Sequence, residues 1–253
     1  MVLNLITEGI HIFKVATFHP IGWGVNQISN KISSKNKPES GAILSEHEHP
    51  IILVHGVFHN STAFYPLEKL LRKNSFQNIH TVEMWTSLKS ISDLVEQLKS
   101  EVSGQIEKSA AHTRYSKGPL KARLVAHSLG GIIARIALQD ARFAEKIDKV
   151  VFMGTPHQSG SLLPFPFPHC FRDIAIHSPA MTELREQPLP GNIRYYNLRG
   201  QLDIITPTPT TFLPHVPNLI FSGIGHAGLL SSYKVLQSVV EILESPFYDS
   251  EVH

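Results

Sequence analysis

The sequence has 253 residues, 42% of them hydrophobic and 17% charged, which is typical of a soluble globular protein with a large core. The net charge is only +2 with histidine neutral, so the composition excludes a strongly basic surface for nucleic acid. The single cysteine, Cys170, excludes an intrachain disulfide, and the fifteen histidines show no H-E-x-x-H spacing. We therefore expect neither a metal site nor a cofactor.

Residues 1–48 are interpreted as an extension that precedes the main domain, with a polar linker over residues 29–41. The first thirty residues can form an amphipathic helix, broken near Pro20, whose apolar side chains are Leu5, Ile6, Ile10, Phe13 and Ala16. A helix packed on the domain is favoured over a membrane-surface helix, because lysine is sparse on its polar face. Glu8 and Lys14 interrupt the apolar run, so neither a secretory signal nor a transmembrane helix is expected. These features predict a cytoplasmic or peripherally membrane-associated protein.

From residue 49 onward, short apolar runs alternate with amphipathic segments. The apolar runs predict strands over residues 51–54, 79–85, 124–126 and 149–153. Lys121 and Arg123 are expected to mark the point where the third strand enters from solvent. Amphipathic helices are predicted from about Tyr65, over about 91–108 and from Leu129. This order predicts one α/β domain over residues 49–253, with a mostly parallel sheet covered by helices on both faces and ligands at the carboxyl ends of the strands.

Ser128 lies where the third predicted strand changes into a helix within one or two residues. Such a turn needs small residues two positions before and after its apex, and Ala126 and Gly130 meet that need. The segment 126–130, A-H-S-L-G, is therefore predicted to be a nucleophile elbow of the G-x-S-x-G kind, with alanine replacing the first glycine. The elbow would direct the serine hydroxyl across a helix N-terminus, which favours a developing anion. An ordinary turn that contains a serine is the alternative.

A glycine-containing loop, residues 55–60, follows the first predicted strand. Gly56 lets the backbone turn sharply, so that the N–H of Val57 can point into a cleft instead of joining the sheet. An oxyanion-hole loop requires this arrangement. A tight turn without a catalytic role is the alternative.

Regular alternation stops in the second half, since eleven of the seventeen prolines lie between residues 156 and 217. The segment 161–168 is apolar yet rich in proline, and we expect a flap over the cleft at about residues 160–190. A short helix over 179–186, strands over 192–198 and 218–221, and a closing helix over about 229–243 are also predicted.

Asp203 and His226 complete the set that a serine nucleophile requires. The hydroxyl needs an imidazole to accept its proton and a carboxylate to orient that imidazole. Asp203 follows a predicted strand, and His226 lies in a glycine-rich loop after the last strand. The order Ser128, Asp203, His226, together with the elbow and the 55–60 loop, favours a serine hydrolase. Asp203 could instead cap a turn, and His226 could be one surface histidine among fifteen.

From about Ile51 to its end, the sequence resembles the α/β-hydrolase superfamily, and within it the lipases. The motifs that carry the resemblance are residues 54–57 (V-H-G-V), 126–131 (A-H-S-L-G-G), 154–157 (G-T-P-H), 203–207 (D-I-I-T-P) and 225–226 (G-H). The alanine in the elbow looks like that of small bacterial triacylglycerol lipases. The G-T-P-H segment is similar to both bacterial lipases and inositol-deacylase-like serine esterases.

The resemblance implies an α/β-hydrolase fold and a role for each site residue. Ser128 would be the nucleophile, His226 the base and Asp203 the orienting acid. The N–H groups of Val57 and Leu129 would form the oxyanion hole. The first fifty residues match nothing in the family pattern.

The expected activity is hydrolysis of a carboxylic acyl ester through an acyl-enzyme, with an acyl ester or lipid as substrate. Four large apolar side chains are expected to line the acyl site: Phe58, Leu162, Phe165 and Phe167. An acyltransferase using the same triad is one alternative, and a non-catalytic binding protein with this fold is another. The complete triad disfavours the binding protein. A peripheral membrane contact through the N-terminus or the flap is allowed, and no nucleic-acid partner is expected.

Overall fold

The computed structural model describes residues 49–57, 59–86, 88–112, 120–158 and 178–245. The predicted extension over residues 1–48 lies outside the described residues. So do the part of the predicted flap before residue 178 and all four predicted acyl-site residues, Phe58, Leu162, Phe165 and Phe167.

Six parallel strands form one sheet in the described part of the chain. The strands are β1 Ile51–Val54, β2 Ile79–Val82, β3 Ala122–His127, β4 Ile147–Met153, β5 Arg194–Gly200 and β6 Asn218–Phe221. Their order across the sheet is β2-β1-β3-β4-β5-β6, and every neighbouring pair is parallel. All six carboxyl ends therefore lie on the same edge, and the predicted α/β fold class is confirmed.

Helices connect the strands along the described chain. They are α1 Tyr65–Lys73, α2 Ile91–His112, α3 Leu129–Ala137, α4 Ala141–Ala144, α5 Pro179–Glu186, α6 Thr208–Thr211 and α7 Tyr233–Glu244, with 3₁₀ turns at Ser61–Phe64 and Ala227–Leu230. Proline in the first turn helps α1 and α5 begin, because an N–H at that position would have no partner within the helix. Among the described helices, none is long and apolar enough to cross a membrane.

The core lies on both faces of the sheet, because successive side chains of a strand point to opposite sides. In β1, Ile52 and Val54 pack in one hydrophobic cluster with α2 and α3. Ile51 and Leu53 pack in a second cluster with α1 and α7. Each large aliphatic side chain buried in this way stabilises the fold by about 1.5–3 kcal/mol. The sheet is thus a rigid support for the loops at its carboxyl edge.

Charged side chains are buried at the amino edge of the sheet. The expectation that Arg123 marks the entry of β3 from solvent is wrong, since Arg123 is only 2% exposed. Its guanidinium donates to the Asp148 carboxylate at 3.1 Å and to the Leu243 carbonyl at 2.8 Å. The buried ammonium of Lys149 donates to the carbonyl and hydroxyl oxygens of Ser245 at 3.1 and 2.9 Å. The carbonyl end of α7 and one carboxylate thus replace water around two buried cations.

The predicted flap at about residues 160–190 is wrong where it includes α5. Met181 and Leu184 of that helix are buried in the same cluster as α2 and α3. Ser178 caps the helix by accepting from the Met181 N–H at 3.2 Å. The guanidinium of Arg135, on α3, donates to the Leu184 carbonyl at 2.6 Å. Packing and hydrogen bonding therefore make α5 part of the core.

Candidate active site

Ser128 occupies the turn between β3 and α3 in a strained backbone conformation. Its φ is 54° and its ψ is −123°, a region that favours glycine and costs a residue with a side chain about 1–3 kcal/mol. Backbone hydrogen bonds hold the turn, from Ser128 N–H to the Met153 carbonyl at 2.9 Å and from Gly131 N–H to the Ser128 carbonyl at 3.0 Å. The turn thus has the geometry that the elbow motif predicts for a nucleophile.

Two glycines let the start of α3 pack directly on the ends of neighbouring strands. A Cβ atom on Gly130 would lie 2.4 Å from the Val54 carbonyl oxygen, and a Cβ atom on Gly131 would lie 2.0 Å from Thr155 Oγ1. No real side chain tolerates such distances. Gly130 is therefore needed because of close backbone approach, as the spacing in the sequence indicates, and Gly131 leaves room for the Thr155 side chain.

The 55–60 loop lies against Ser128. A Cβ atom on Gly56 would be 2.9 Å from the Ser128 Cβ atom, so only glycine allows this approach. His55, fully buried, fixes the loop: its Nδ1 lies 2.9 Å from the Gly56 carbonyl, and its Nε2 accepts from the Met84 N–H at 3.1 Å. Because Nε2 is an acceptor, Nδ1 carries the hydrogen and the ring is neutral.

The N–H groups predicted for the oxyanion hole belong to Val57, in the loop after β1, and to Leu129, at the start of α3. Leu129 N–H is at the first position of α3, where no carbonyl of the same helix can accept it. Val57 N–H follows Gly56 at the point of contact with Ser128. Among the backbone–backbone hydrogen bonds outside helices and strands in the described part of the chain, neither group is a donor.

Asp203 and His226 meet at the carboxyl edge of the sheet, where they follow β5 and β6. The Nδ1 atom of His226 lies 2.8 Å from Asp203 Oδ2, and both side chains are almost fully buried. The other carboxylate oxygen, Oδ1, accepts from the Ile205 and Thr206 N–H groups at 3.0 and 2.7 Å. Because an ionised carboxylate only accepts, the hydrogen in this contact is carried by His226 Nδ1.

His127, directly before Ser128, packs under the imidazole of His226. The two ring centroids are 4.6 Å apart, and His127 also stacks on His59, with ring centroids 5.3 Å apart. Its Nε2 lies 3.3 Å from the His226 carbonyl. Complete burial, together with the neighbouring His226 and His59, lowers the pKa of His127 well below 6.5. The side chain under His226 is therefore neutral, with Nε2–H donating to that carbonyl.

A second buried cluster supports the loop after β4. The guanidinium of Arg135 donates to the His157 carbonyl at 3.3 Å, and His157 Nε2 lies 3.3 Å from Asn197 Oδ1. Burial and the nearby guanidinium lower the pKa of His157 well below 6.5. Burial also lowers the pKa of Arg135 to about 10. This cluster joins α3, β4 and β5 and holds the carboxyl end of β4 beside the Ser128 turn.

Three predicted site residues thus share one edge of the sheet. Ser128 follows β3, Asp203 follows β5 and His226 follows β6, and their exposed fractions are 7%, 5% and 5%. Sequence reasoning missed Thr206, whose hydroxyl lies 2.7 Å from Asp203 Oδ2. The only signal was its place in the D-I-I-T-P segment. Among the described residues, no group of histidine, cysteine and acidic side chains has the geometry to hold a metal ion.

The parallel sheet and the strained serine between β3 and α3 give the protein the fold of an α/β-hydrolase. The chain belongs to the palmitoyl protein thioesterase family, whose model matches residues 50–197, more than half of the sequence. The matched region includes Ser128 and ends before Asp203 and His226. A comparison with curated proteins found no match.

Several solved structures have the same fold at low sequence identity. The mature lipase BlEst2 of Bacillus licheniformis aligns with a TM-score of 0.62 at 16% identity, over 79% of this chain and 96% of its own. Lipase B of Aspergillus fumigatus aligns with a TM-score of 0.62 at 13% identity, over 82% of this chain and 55% of its own. The phospholipase PlaB of Legionella pneumophila aligns with a TM-score of 0.51 at 16% identity, over 60% of this chain and 38% of its own. The resemblance to α/β-hydrolases is therefore confirmed at the level of the fold.

Proposed function

We propose that this protein is a serine hydrolase that cleaves acyl esters or acyl thioesters through a Ser128–His226–Asp203 triad. The observation that carries the proposal is the buried contact of 2.8 Å between His226 Nδ1 and Asp203 Oδ2, on the same edge of the sheet as the strained Ser128. Two backbone N–H groups and an imidazole compensate the burial of this carboxylate and fix its direction towards the ring. In a serine hydrolase such a carboxylate orients the base.

The first half of the proposed reaction forms an acyl-enzyme. Ser128 Oγ attacks the substrate carbonyl carbon while its proton passes to His226 Nε2. The N–H groups of Val57 and Leu129 then stabilise the negative charge on the carbonyl oxygen, a contribution worth about 2.7–4 kcal/mol for one such donor in a comparable enzyme. His226 next returns the proton to the departing oxygen or sulfur, so the bond to the leaving group breaks and Ser128 carries the acyl group.

The second half releases the acyl group to water. His226 Nε2 accepts a proton from water as the water oxygen attacks the acyl carbon, and the proton then returns to Ser128 Oγ. His226 becomes positively charged twice in each cycle, and Asp203 is the carboxylate that stabilises this charge. The neutral state of His127 supports the same function, because a second cation at 4.6 Å would oppose formation of the imidazolium.

Long-chain acyl groups are the substrate class that the comparisons favour. The family description names palmitoyl protein thioesterases, and the structural relatives include lipases. We therefore propose that the protein accepts both oxygen esters and thioesters, since the same triad and oxyanion donors act on either carbonyl.

The test is hydrolysis by purified wild-type protein and by Ser128→Ala, with acyl esters from acetate to palmitate and with palmitoyl thioesters. The variant removes one hydroxyl and should lose turnover while keeping its melting temperature. Ser100→Ala, at an exposed position of α2, serves as the control and should keep full activity. A fluorophosphonate probe should label the wild type and the control but not Ser128→Ala. Turnover at the wild-type rate in a folded Ser128→Ala protein would refute the triad.

Product analysis with an added alcohol separates hydrolysis from acyl transfer. A hydrolase releases free acid as its main product, whereas a transferase forms the new ester at the expense of the acid. Dominant transfer would keep the triad and replace water by another acceptor. An unlabelled, inactive wild type would instead favour a non-catalytic binding protein.

A further inference from the structure

The buried hydroxyl of Thr206 touches three parts of the candidate site at once. Its Oγ1 lies 2.7 Å from Asp203 Oδ2, 3.0 Å from His226 Nδ1 and 3.0 Å from the Gly154 carbonyl. These partners belong to the loops that follow β5, β6 and β4, respectively. Thr206 itself is only 2% exposed. A single side chain therefore connects three loops at the carboxyl edge of the sheet.

The Thr206 hydroxyl has a single hydrogen, which it can donate either to Asp203 Oδ2 or to the Gly154 carbonyl. If it points to Asp203 Oδ2, that oxygen accepts from both Thr206 and His226, and with the two N–H groups at Oδ1 the carboxylate has four donors. If it points to the Gly154 carbonyl, a lone pair of the hydroxyl faces His226 Nδ1–H and shares that hydrogen with Asp203. Each arrangement restrains the Asp203–His226 pair through the same oxygen atom.

We propose that Thr206 is a positioning residue that keeps Asp203 Oδ2 and the His226 imidazole in register with Ser128. This inference rests on the proposed function. With the hydroxyl present, rotation of the carboxylate would break a hydrogen bond at Thr206 as well as the bond to His226, so the imidazole is held more firmly. Without it, His226 is the one donor to Oδ2 that remains among the described residues, and Nε2 of the ring spends less time directed at Ser128.

A purely structural role of Thr206 predicts a different result from the proposed positioning role. Valine has almost the same shape as threonine, so Thr206→Val removes the hydroxyl and keeps the packing. If the hydroxyl only satisfies a buried carbonyl, the variant loses stability and keeps its kcat. If the hydroxyl positions the triad, kcat falls. KM stays nearly constant because Thr206 is closed off from the substrate.

The experiment compares Thr206→Val, Thr206→Ser and Thr81→Val in a steady-state esterase assay. Thr81 is a matched control, since it is also buried and its hydroxyl donates to a carboxylate, that of Glu68, at 2.6 Å on the edge strand β2. Thr206→Val should lower kcat about 10- to 100-fold, as expected for one hydrogen bond to a charged group, with KM changed less than about twofold. Thr206→Ser should recover most of the kcat, and Thr81→Val should keep the wild-type kcat.

Each other outcome overturns the inference. A Thr206→Val protein with wild-type kcat, or an equal loss of kcat in Thr81→Val, would reduce Thr206 to a structural residue. If Thr206→Val does not fold, Thr206→Ser and Thr206→Ala take its place, and equal kcat values for these two would overturn the positioning role. A wild type that neither hydrolyses esters nor is labelled at Ser128 would refute both proposals. A wild type that acts through Ser128 while Thr206→Val matches it would refute the role of Thr206 alone.

Discussion

Acid should destabilise this protein through two buried histidines, His127 and His157. Burial holds the pKa of each imidazole well below 6.5 in the folded state, helped by neighbouring histidines at His127 and by the Arg135 guanidinium at His157. The unfolded chain exposes both rings to water, where they bind protons at about pH 6.5. At pH values between 6.5 and the lower pKa values of the folded state, the unfolded state therefore binds more protons than the folded state. Stability is fully present above pH 6.5 and is lost as the pH falls below it.

The size of the effect follows from proton linkage. Each histidine that binds a proton only in the unfolded state lowers the free energy of unfolding by about 1.4 kcal/mol per pH unit, so the pair contributes about 2.7 kcal/mol per unit. This is a large share of the roughly 5–15 kcal/mol that stabilises a typical domain. Urea unfolding at a series of pH values from about 7.5 to about 5 measures the slope directly.

Substitution of one histidine at a time tests the assignment. In His127→Gln and in His157→Gln the slope below about pH 6 should each fall by about 1.4 kcal/mol per pH unit, whatever happens to the stability at neutral pH. His215→Asn is the control, because His215 is exposed and asparagine tolerates its positive φ of 60°. A slope that stays at the wild-type value in either buried variant would show that the folded protein already binds that proton, and the reasoning would be refuted.

Three further substitutions test the site and its support. Asp203→Asn should lower ester hydrolysis by about 10⁴-fold without unfolding the protein, because the amide favours the wrong imidazole tautomer; near-normal kcat would exclude Asp203 as the orienting acid. Gly130→Ala should cost about 1–3 kcal/mol in urea unfolding, since the new Cβ atom would lie 2.4 Å from a carbonyl oxygen, whereas Gly191→Ala has open space and should be neutral. Arg123→Met should cost about 1–3 kcal/mol, because Asp148 loses a buried donor and keeps only Arg194 as a cationic partner among the described residues. Lys99→Met, at a more exposed pair, should cost far less; equal costs would contradict this account.

The fold could be predicted from local patterns, because those patterns are set by burial. Continuous aliphatic runs predict the central strands, and the short helix predicted over 179–186 is α5 with the same bounds. Boundaries were less predictable wherever a distant partner decides them. β2 ends at Val82 rather than at residue 85, since the Met84 N–H turns away to the His55 ring. The burial of Arg123 likewise depends on partners 25 and 120 residues away.

The candidate site could be predicted in outline, because a parallel sheet brings the ends of its strands to one edge. That rule is enough to expect Ser128, Asp203 and His226 near one another. It does not predict the contacts between loops, so the contacts of Thr206 and His55 could not be found from the sequence. The contacts of Thr206 with the Gly154 carbonyl and with His226, and that of His55 with the Met84 N–H, form only when segments that follow different strands lie side by side.

The burial of Arg123 also has a consequence for synthesis on the ribosome. Its guanidinium needs the Leu243 carbonyl, which lies 120 residues further along the chain. At about 5–20 residues per second, that carbonyl is made roughly 6–24 s after the arginine. During this delay Arg123 of β3 and Lys149 of β4 lack the carbonyl acceptors that α7 provides in the folded protein. Burial of these two cations in a closed, dry sheet would then be unfavourable. A closed and dry amino edge of the sheet therefore becomes favourable only after α7 has been synthesised.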